Sequence, residues 1–306
     1  MFVLPSIRSR LLPSAAFALG LAAQAGAQIT HLESPNMNGA NEVPPTPSMG
    51  VGRGDFTVNT FTHTLKYNIS FSGLTSGEIL AHVHGPAPVG MNGPIIFSLP
   101  LGSPISGSFA TTAAQEGDLL SSNTYDNIHT QNFGGGEIRD QMVPSPAVGT
   151  PFCFGDGSGS PCPCGNSGSA GHGCDNSSAT GGAQLSATGH VSPDNVVLIA
   201  TGEKPTATTI FLMGTSQVAP LIFGDGLRCV GGSLKRLISK NAAGGAVAYP
   251  EGAEPSITTR AAALGSPITP GQHRFFMTYY RDPDPTFCPN PPGGTFNGSN
   301  AVDILF

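Results

Sequence analysis

Apolar and polar residues alternate in several short segments of the N-terminal half of the chain. The alternation is longest in residues 63–71, where one face would carry His63, Leu65, Tyr67, Ile69 and Phe71. A period of two is typical of a strand with one buried face. Shorter runs that can also form strands lie at 79–84, 94–99, 107–110 and 123–130. Residues 112–120 could form a short helix, and otherwise the pattern predicts an antiparallel β-sandwich.

The C-terminal half has the same character. Apolar runs that predict strands lie at 184–189, 196–201, 208–213, 244–249, 273–281 and 301–306. The whole chain contains 42 glycines and 28 prolines, but only 10% of its residues are charged. This composition is typical of short strands joined by tight turns. We therefore expect an all-β protein with two sandwich-like domains.

The first 27 residues have the order of a secretory signal peptide. Arg8 and Arg10 precede an apolar run, 11–23, and Ala25 and Ala27 occupy the two positions that a signal peptidase reads. The run is shorter than the ~20 residues that a membrane span needs. We expect a mature chain that has no membrane span and is secreted, to the extracellular space, the periplasm or the cell surface.

A proline-rich segment divides this mature chain. Pro144 and Pro146 discourage both helix and strand in residues 144–150. We expect a linker there, between a cysteine-free domain of residues 28–143 and a cysteine-rich domain of residues 151–306.

All six cysteines lie in the second domain. They are Cys153, Cys162, Cys164, Cys174, Cys229 and Cys288. An even number of cysteines in an exported chain predicts three disulfide bonds. A zinc knuckle is the alternative, but the C-x-C spacing of Cys162 and Cys164 differs from the C-x2-C repeat of zinc ribbons. We expect the four clustered cysteines to pair among themselves and Cys229 to pair with Cys288.

The charge of the chain argues against a nucleic-acid partner. The net charge is -6, and the 13 lysines and arginines do not cluster into the basic stripe that such a partner requires. The sequence has no G-x-S-x-G nucleophile elbow and no evident pair of glycosidase carboxylates. We therefore expect a non-catalytic binding protein, whose partner is an unidentified extracellular protein or surface polymer.

Three histidines are candidate metal ligands. His82 and His84 are two residues apart on a predicted strand and share a face, and His129 lies on another predicted strand. If the two strands are neighbours, three imidazole nitrogens within about 4 Å of one another could bind copper or zinc. His63 is a possible fourth ligand. The alternative is a structural role, in which the histidines form hydrogen bonds to the backbone of neighbouring loops.

Five segments resemble a known domain family when they are taken in order. They are 41–45 (NEVPP), 81–87 (AHVHGPA), 90–96 (GMNGPII), 125–130 (YDNIHT) and 136–141 (GEIRDQ). They resemble the CHRD domain, a module named for its repeats in chordin, over roughly residues 30–143. The resemblance implies an extracellular β domain. The family's usual glycine between arginine and glutamine is Asp140 here.

The cysteine-rich half resembles uncharacterised repeats at the C-terminal end of exported bacterial proteins. That resemblance implies no activity. The growth-factor binding that accompanies CHRD domains in chordin is not implied either, because the second half of this chain is different.

Overall fold

Strands dominate the computed structural model, which describes residues 28–288 and 294–306. The predicted signal peptide, residues 1–27, lies outside the described residues. Within them the two α-helices are short, and the prediction of an all-β fold is confirmed. No helix in this part of the chain has the length and apolar character that a membrane crossing requires.

The N-terminal half contains nine strands and one α-helix. The strands are β1 (Ile29–Asn38), β2 (Val51–Asn59), β3 (Thr64–Ser72), β4 (Glu78–His84), β5 (Ile95–Leu99), β6 (Ile105–Ala110), β7 (Tyr125–Thr130), β8 (Ile138–Gln141) and β9 (Val143–Pro144). The helix α1 (Ala113–Leu120) lies between β6 and β7, and a single 3-10 turn (Gly39–Asn41) follows β1. The strands form one antiparallel sheet in the order β5-β4-β7-β8-β1-β2-β3-β6, with β9 beside β1.

This sheet curls on itself, so that its opposite sides face each other across one core. The outermost strands β5 and β6 meet where the rings of Phe97 and Phe109 stack, with centroids 4.6 Å apart. Buried core residues include Leu32, Val58, Leu65, Val83, Ile128 and Ile138. The sandwich-like character of this half therefore arises from a single curved sheet.

Strand β3 shows how the alternation of the sequence produces this core. Leu65, Tyr67 and Ile69 are buried, and the residues between them are only partly buried. His63 lies before the strand with a φ of +51°, and its side chain is 59% exposed. The prediction that His63 shares the apolar face was wrong, because the strand begins one residue later, after the turn.

The predicted short helix is present as α1. The Thr112 side chain accepts a hydrogen bond from the Gln115 backbone, and the Gln115 side chain accepts one from the Thr112 backbone. This reciprocal capping box satisfies two amide groups that a helix start leaves free. Leu119 is fully buried and packs the helix against the core of the curled sheet.

The C-terminal half contains ten strands and one α-helix among its described residues. The strands are β10 (Thr150–Phe152), β11 (Gln184–Thr188), β12 (Val197–Thr201), β13 (Thr208–Gly214), β14 (Ser216–Phe223), β15 (Gly226–Gly231), β16 (Lys235–Asn241), β17 (Val247–Tyr249), β18 (His273–Arg281) and β19 (Phe296–Leu305), and the helix is α2 (Ile257–Ala263). A five-stranded sheet (β10-β19-β18-β13-β16) and a three-stranded sheet (β11-β12-β17) are accompanied by the hairpin β14-β15.

The five-stranded and three-stranded sheets share one core, as the prediction of a sandwich requires. Leu185 and Leu198 from the smaller sheet belong to the same buried cluster as Phe211 and Phe276 from the larger sheet. Ile257 of helix α2 is fully buried in that cluster.

Three disulfide bonds hold the C-terminal half, but their pairing differs from the prediction. The bonds are Cys153–Cys229, Cys162–Cys174 and Cys164–Cys288. Of the predicted pairing within the cluster only Cys162–Cys174 is present, and the predicted bond between Cys229 and Cys288 was wrong. Cys153 follows β10, which pairs with β19, and β19 packs against β15, which carries Cys229. Strand packing thus brings these two cysteines together across 76 residues.

The segment predicted as a linker, 144–150, begins at the last residue of β9 and ends at the first residue of β10. The prediction that its prolines discourage strand structure was wrong at Pro144, which ends β9 and pairs with Leu32 of β1. A proline is tolerated at this edge because the next amide, that of Ser145, makes the hydrogen bond to His31 O. The domain boundaries themselves stay a prediction.

Polar side chains join the two halves across this boundary. Asn195 donates hydrogen bonds to Glu33 Oε2 at 3.1 Å and to Asp55 Oδ1 at 2.7 Å. Lys66 of the first half lies 2.8 Å from Glu251 Oε2 of the second. The contacts between the halves therefore include charged groups that are partly removed from water.

Candidate metal centre

The structure brings together the three histidines that the sequence singles out. His82 and His84 lie on β4, and His129 lies on the neighbouring strand β7. Ala81 and Val83 alternate with the first two histidines and are buried in the core. The histidines therefore point away from the core, to the other face of the sheet. On that face the three histidines are also shielded from solvent, and each is less than 9% exposed.

The imidazole groups lie close to one another. His82 Nδ1 lies 3.1 Å from His129 Nε2. One candidate ligand nitrogen of each of the three residues lies within 4.8 Å of the other two. Two ligand nitrogens on zinc, each ~2.0–2.1 Å from the ion, are about 3.4 Å apart. The widest separation, 4.8 Å, exceeds the limit of about 4 Å expected from the sequence, and that pair would have to close by about 1.4 Å to bind zinc.

Two of the histidines are oriented by loop carbonyl groups. His84 Nδ1 lies 3.0 Å from Gly93 O, and His129 Nδ1 lies 3.1 Å from Gly134 O. A carbonyl oxygen only accepts, so each Nδ1 carries the proton and each Nε2 keeps its lone pair. Metal-binding histidines have this arrangement, in which the second ring nitrogen donates to a carbonyl or carboxylate group. The structural role and the ligand role are thus assigned to different nitrogens of the same rings.

One imidazole nitrogen in the cluster has no partner. His84 Nε2 is buried and has no hydrogen bond to any residue that the structure describes. A buried polar atom without a partner is rare and costs about 1–3 kcal/mol. An ion bound between the histidines would give this nitrogen a partner.

Burial keeps the cluster uncharged. Desolvation lowers the pKa of His82 and His84 below the ordinary value of histidine. Desolvation also lowers the pKa of His129 to about 4. Repulsion by the other two rings adds a smaller decrease, and the hydrogen bond to Gly134 acts in the opposite direction by raising this pKa. Neutral imidazole is the form that binds a metal, so no proton has to leave these rings at neutral pH.

An aromatic ring and a guanidinium group support the cluster, although the sequence did not single them out for this purpose. The ring of Tyr125 stacks on His84 with centroids 4.9 Å apart. The guanidinium group of Arg139 lies over the Tyr125 ring, 4.1 Å from its centre. Arg139 also donates to Asn92 Oδ1 and Met91 O, and so fixes the loop 85–94 that supplies Gly93 O. Tyr125 lies four residues before His129, and this even spacing was the signal that it shares the face.

His63 does not join the cluster. Its Nδ1 lies 3.0 Å from Glu116 Oε1, beside helix α1. Within the described residues, the three histidines 82, 84 and 129 form the group of potential metal ligands, and His63 is not part of it. The prediction of His63 as a fourth ligand was therefore wrong.

Comparison with known proteins identifies the domain that carries this cluster. A family model described as the CHRD domain matches residues 34–142. No curated protein and no solved structure matches the chain. The matched segment contains all three histidines and eight of the nine strands of the curled sheet in whole or in part. Residues 34–142 of this chain are a CHRD domain.

Proposed function

We propose that this protein is exported and that its CHRD domain binds one zinc or copper ion through His82, His84 and His129. The observation that carries the proposal is the convergence of three buried imidazoles whose nitrogens lie within 4.8 Å of one another. The unpartnered Nε2 of His84 supports it. The carbonyl groups that orient His84 and His129 support it as well.

The type of ligand favours zinc or copper over other ions. Imidazole nitrogens suit zinc and copper, whereas magnesium and calcium prefer oxygen ligands. Three histidines with a fourth, open position are a known arrangement for zinc. The cysteines do not compete for the ion, since all six are paired in disulfide bonds.

The proposed role is binding and not catalysis, in a compartment outside the reducing cytosol. Three disulfide bonds fit such a compartment, and the export signal is expected from residues 1–27. The partner would be an extracellular protein or a surface polymer. Turnover of a substrate in a broad screen of hydrolase and oxidase reactions would overturn the non-catalytic role.

Metal analysis of the mature chain, purified without a histidine tag, tests the proposed site. We expect one zinc or copper ion per chain after reconstitution and dialysis, and a rise in the melting temperature on addition of the ion. The double variant His82→Ala, His84→Ala should bind no ion. His273→Ala is the matched control, because His273 is half exposed and lies beside Asp303. A wild-type chain that binds neither ion, or a double variant that binds as well as the control, would refute the site.

A further inference from the structure

The two closest nitrogens of the histidine cluster form a hydrogen bond with each other. His82 Nδ1 lies 3.1 Å from His129 Nε2, and both side chains are buried. Two nitrogen atoms that each present a lone pair repel at this distance, so one of the two carries a proton. The remaining contacts of these rings decide which nitrogen is the donor.

The loop carbonyl group beside His129 fixes the proton of that ring. His129 Nδ1 lies 3.1 Å from Gly134 O, and a carbonyl oxygen only accepts a hydrogen bond. A neutral imidazole carries one proton, so His129 Nε2 has a lone pair and accepts as well. Desolvation, which lowers the pKa of both histidines, keeps the two rings neutral. His82 Nδ1 is therefore the donor of the hydrogen bond.

One N–H group of the metal-free chain thus lies among the nitrogens that would bind an ion. His84 adds no second N–H group there, because its Nδ1 faces Gly93 O at 3.0 Å. Its Nε2 is buried and has no hydrogen-bond partner among the residues that the structure describes. The hydrogen bond from His82 to His129 satisfies two further nitrogens, so the empty cluster leaves only the His84 nitrogen to be compensated.

The donor nitrogen of His82 already lies at the position of a ligand. Two nitrogens bound to one zinc ion, each ~2.0–2.1 Å away, are about 3.4 Å apart. His82 Nδ1 and His129 Nε2 are 3.1 Å apart, so they would have to separate by only about 0.3 Å. His82 Nε2 points in a different direction and would reach the same ion only after the ring had turned.

We propose that His82 binds the ion through Nδ1, whereas His84 and His129 bind it through Nε2, and that the hydrogen bond from His82 to His129 closes the empty site. The inference rests on the proposed function. When the ion binds, the Nδ1–H bond of His82 breaks and an N–H bond forms at Nε2 of the same ring, with water carrying the proton. The ring is neutral before and after, so the exchange releases no net proton.

This exchange distinguishes His82 from the other two ligands. Loop carbonyl groups hold His84 and His129 in the tautomer that binds through Nε2. His82 is held in the opposite way, because its contact in the empty site protonates the nitrogen that the ion needs. An ion must therefore displace the hydrogen bond to His129 before it can use all three rings.

Nitrogen NMR of the mature chain tests the inference. The eight histidines are labelled with ¹⁵N, and spectra are recorded at neutral pH without metal and then with one equivalent of Zn²⁺. Long-range ¹H–¹⁵N correlation distinguishes a ring nitrogen that carries a proton from one that presents a lone pair. His82→Asn identifies the signals of His82 by their loss. If that variant does not fold, correlation of each ring with its own Cβ in the wild type gives the same assignment.

In the metal-free chain we expect the proton of His82 at Nδ1, and a scalar coupling between His82 Nδ1 and His129 Nε2 across the hydrogen bond. With Zn²⁺ bound, the coupling should vanish and the N–H group of His82 should appear at Nε2. His84 and His129 should keep their protons at Nδ1. His273 is the internal control, because it is half exposed and lies beside Asp303, and its tautomer should not change.

The two spectra separate the inference from the proposed function. A metal-free chain with the proton of His82 at Nε2 overturns the inference, and so does a zinc-bound chain with that proton still at Nδ1. In both cases a chain that retains Zn²⁺ leaves the proposed metal site standing. Unchanged spectra after addition of Zn²⁺, with no zinc retained on dialysis, overturn the proposed function and the ligand assignment together.

Discussion

Glu203 is a buried carboxyl group, and its substitution gives a test of the electrostatics of the fold. It lies between β12 and β13, is 1% exposed, and accepts hydrogen bonds from Thr209 and Thr278. Desolvation raises the pKa of Glu203 from 4.5 to about 7, although both hydrogen bonds lower it. The folded chain therefore keeps this proton to a higher pH than the unfolded chain does.

The expected magnitude follows from the difference between the two states. Below pH 4.5 the carboxyl group is protonated in both, and its full contribution to the free energy of unfolding is present. As the pH rises to about 7 the unfolded state ionises first, so stability is lost. A shift from 4.5 to about 7 corresponds to a loss of roughly 3 kcal/mol. Glutamine has no proton to lose, so Glu203→Gln should avoid this loss.

Urea denaturation between pH 4 and pH 8.5, with the disulfides intact, measures the effect. We expect the free energy of unfolding of Glu203→Gln, relative to wild type, to rise by about 3 kcal/mol over this range. Glu251→Gln is the matched control with the opposite sign. Burial raises the pKa of Glu251, but Lys240 and Lys66 together lower it below its ordinary value, so that variant should lose stability relative to wild type as the pH rises from 4 toward neutral.

A difference between Glu203→Gln and wild type that is independent of pH would refute the reasoning. It would mean that Glu203 ionises alike in the folded and unfolded chains. A variant that becomes less stable than wild type as the pH rises would refute it as well, since it would show that the two threonines stabilise the carboxylate by more than burial destabilises it.

Three further predictions concern the disulfides, the histidines and the contact between the halves. Replacing Cys162 and Cys174, which are 12 residues apart, by alanine should lower the free energy of unfolding in urea by about 3 kcal/mol, and an unchanged value would contradict the pairing. Because the pKa of His129 is lowered to about 4, the metal-free chain should lose about 2 kcal/mol between pH 6.5 and pH 4, with solvent screening allowed for. In urea titrations with a chelator present, a His129→Asn variant should lack this pH-dependent loss of stability. A pH profile identical to that of the wild type would contradict the lowered pKa of His129. Asn195→Ala removes the donor to Glu33 and Asp55 and should cost about 1–3 kcal/mol. Hydrogen exchange of β1 and β2 should then be faster, and unchanged protection would contradict this role of Asn195.

The histidine cluster reconciles two interpretations that looked exclusive in the sequence. One gave His84 and His129 a structural role in holding loops, and the other made them metal ligands. Each ring uses Nδ1 for the loop carbonyl group, so that in the proposed site the ligand nitrogen is Nε2, which has no partner in His84 and faces His82 Nδ1 in His129. A loop contact of this kind also selects the tautomer that a metal requires, so the first role prepares the second.

The alternation of side chains within a single strand was enough to predict part of this site from the sequence. The two-residue spacing of His82 and His84 places both on one face, because the direction of side chains in a strand is a local property of the backbone. The same argument predicted strand β3 with its buried residues Leu65, Tyr67 and Ile69. The even number of cysteines likewise indicated three disulfide bonds, because an oxidising compartment leaves few free thiols.

Tertiary structure alone decided which of these local elements meet. Strand β7 lies beside β4 although β5, β6 and α1 intervene in the chain, and only this order brings His129 to His82. The pairing of Cys153 with Cys229 depends in the same way on the packing of β15 against β19. The sequence thus determined the faces of the strands, which follow from neighbouring residues. The order of the strands, and with it the composition of the site, depends on contacts between residues that are distant along the chain.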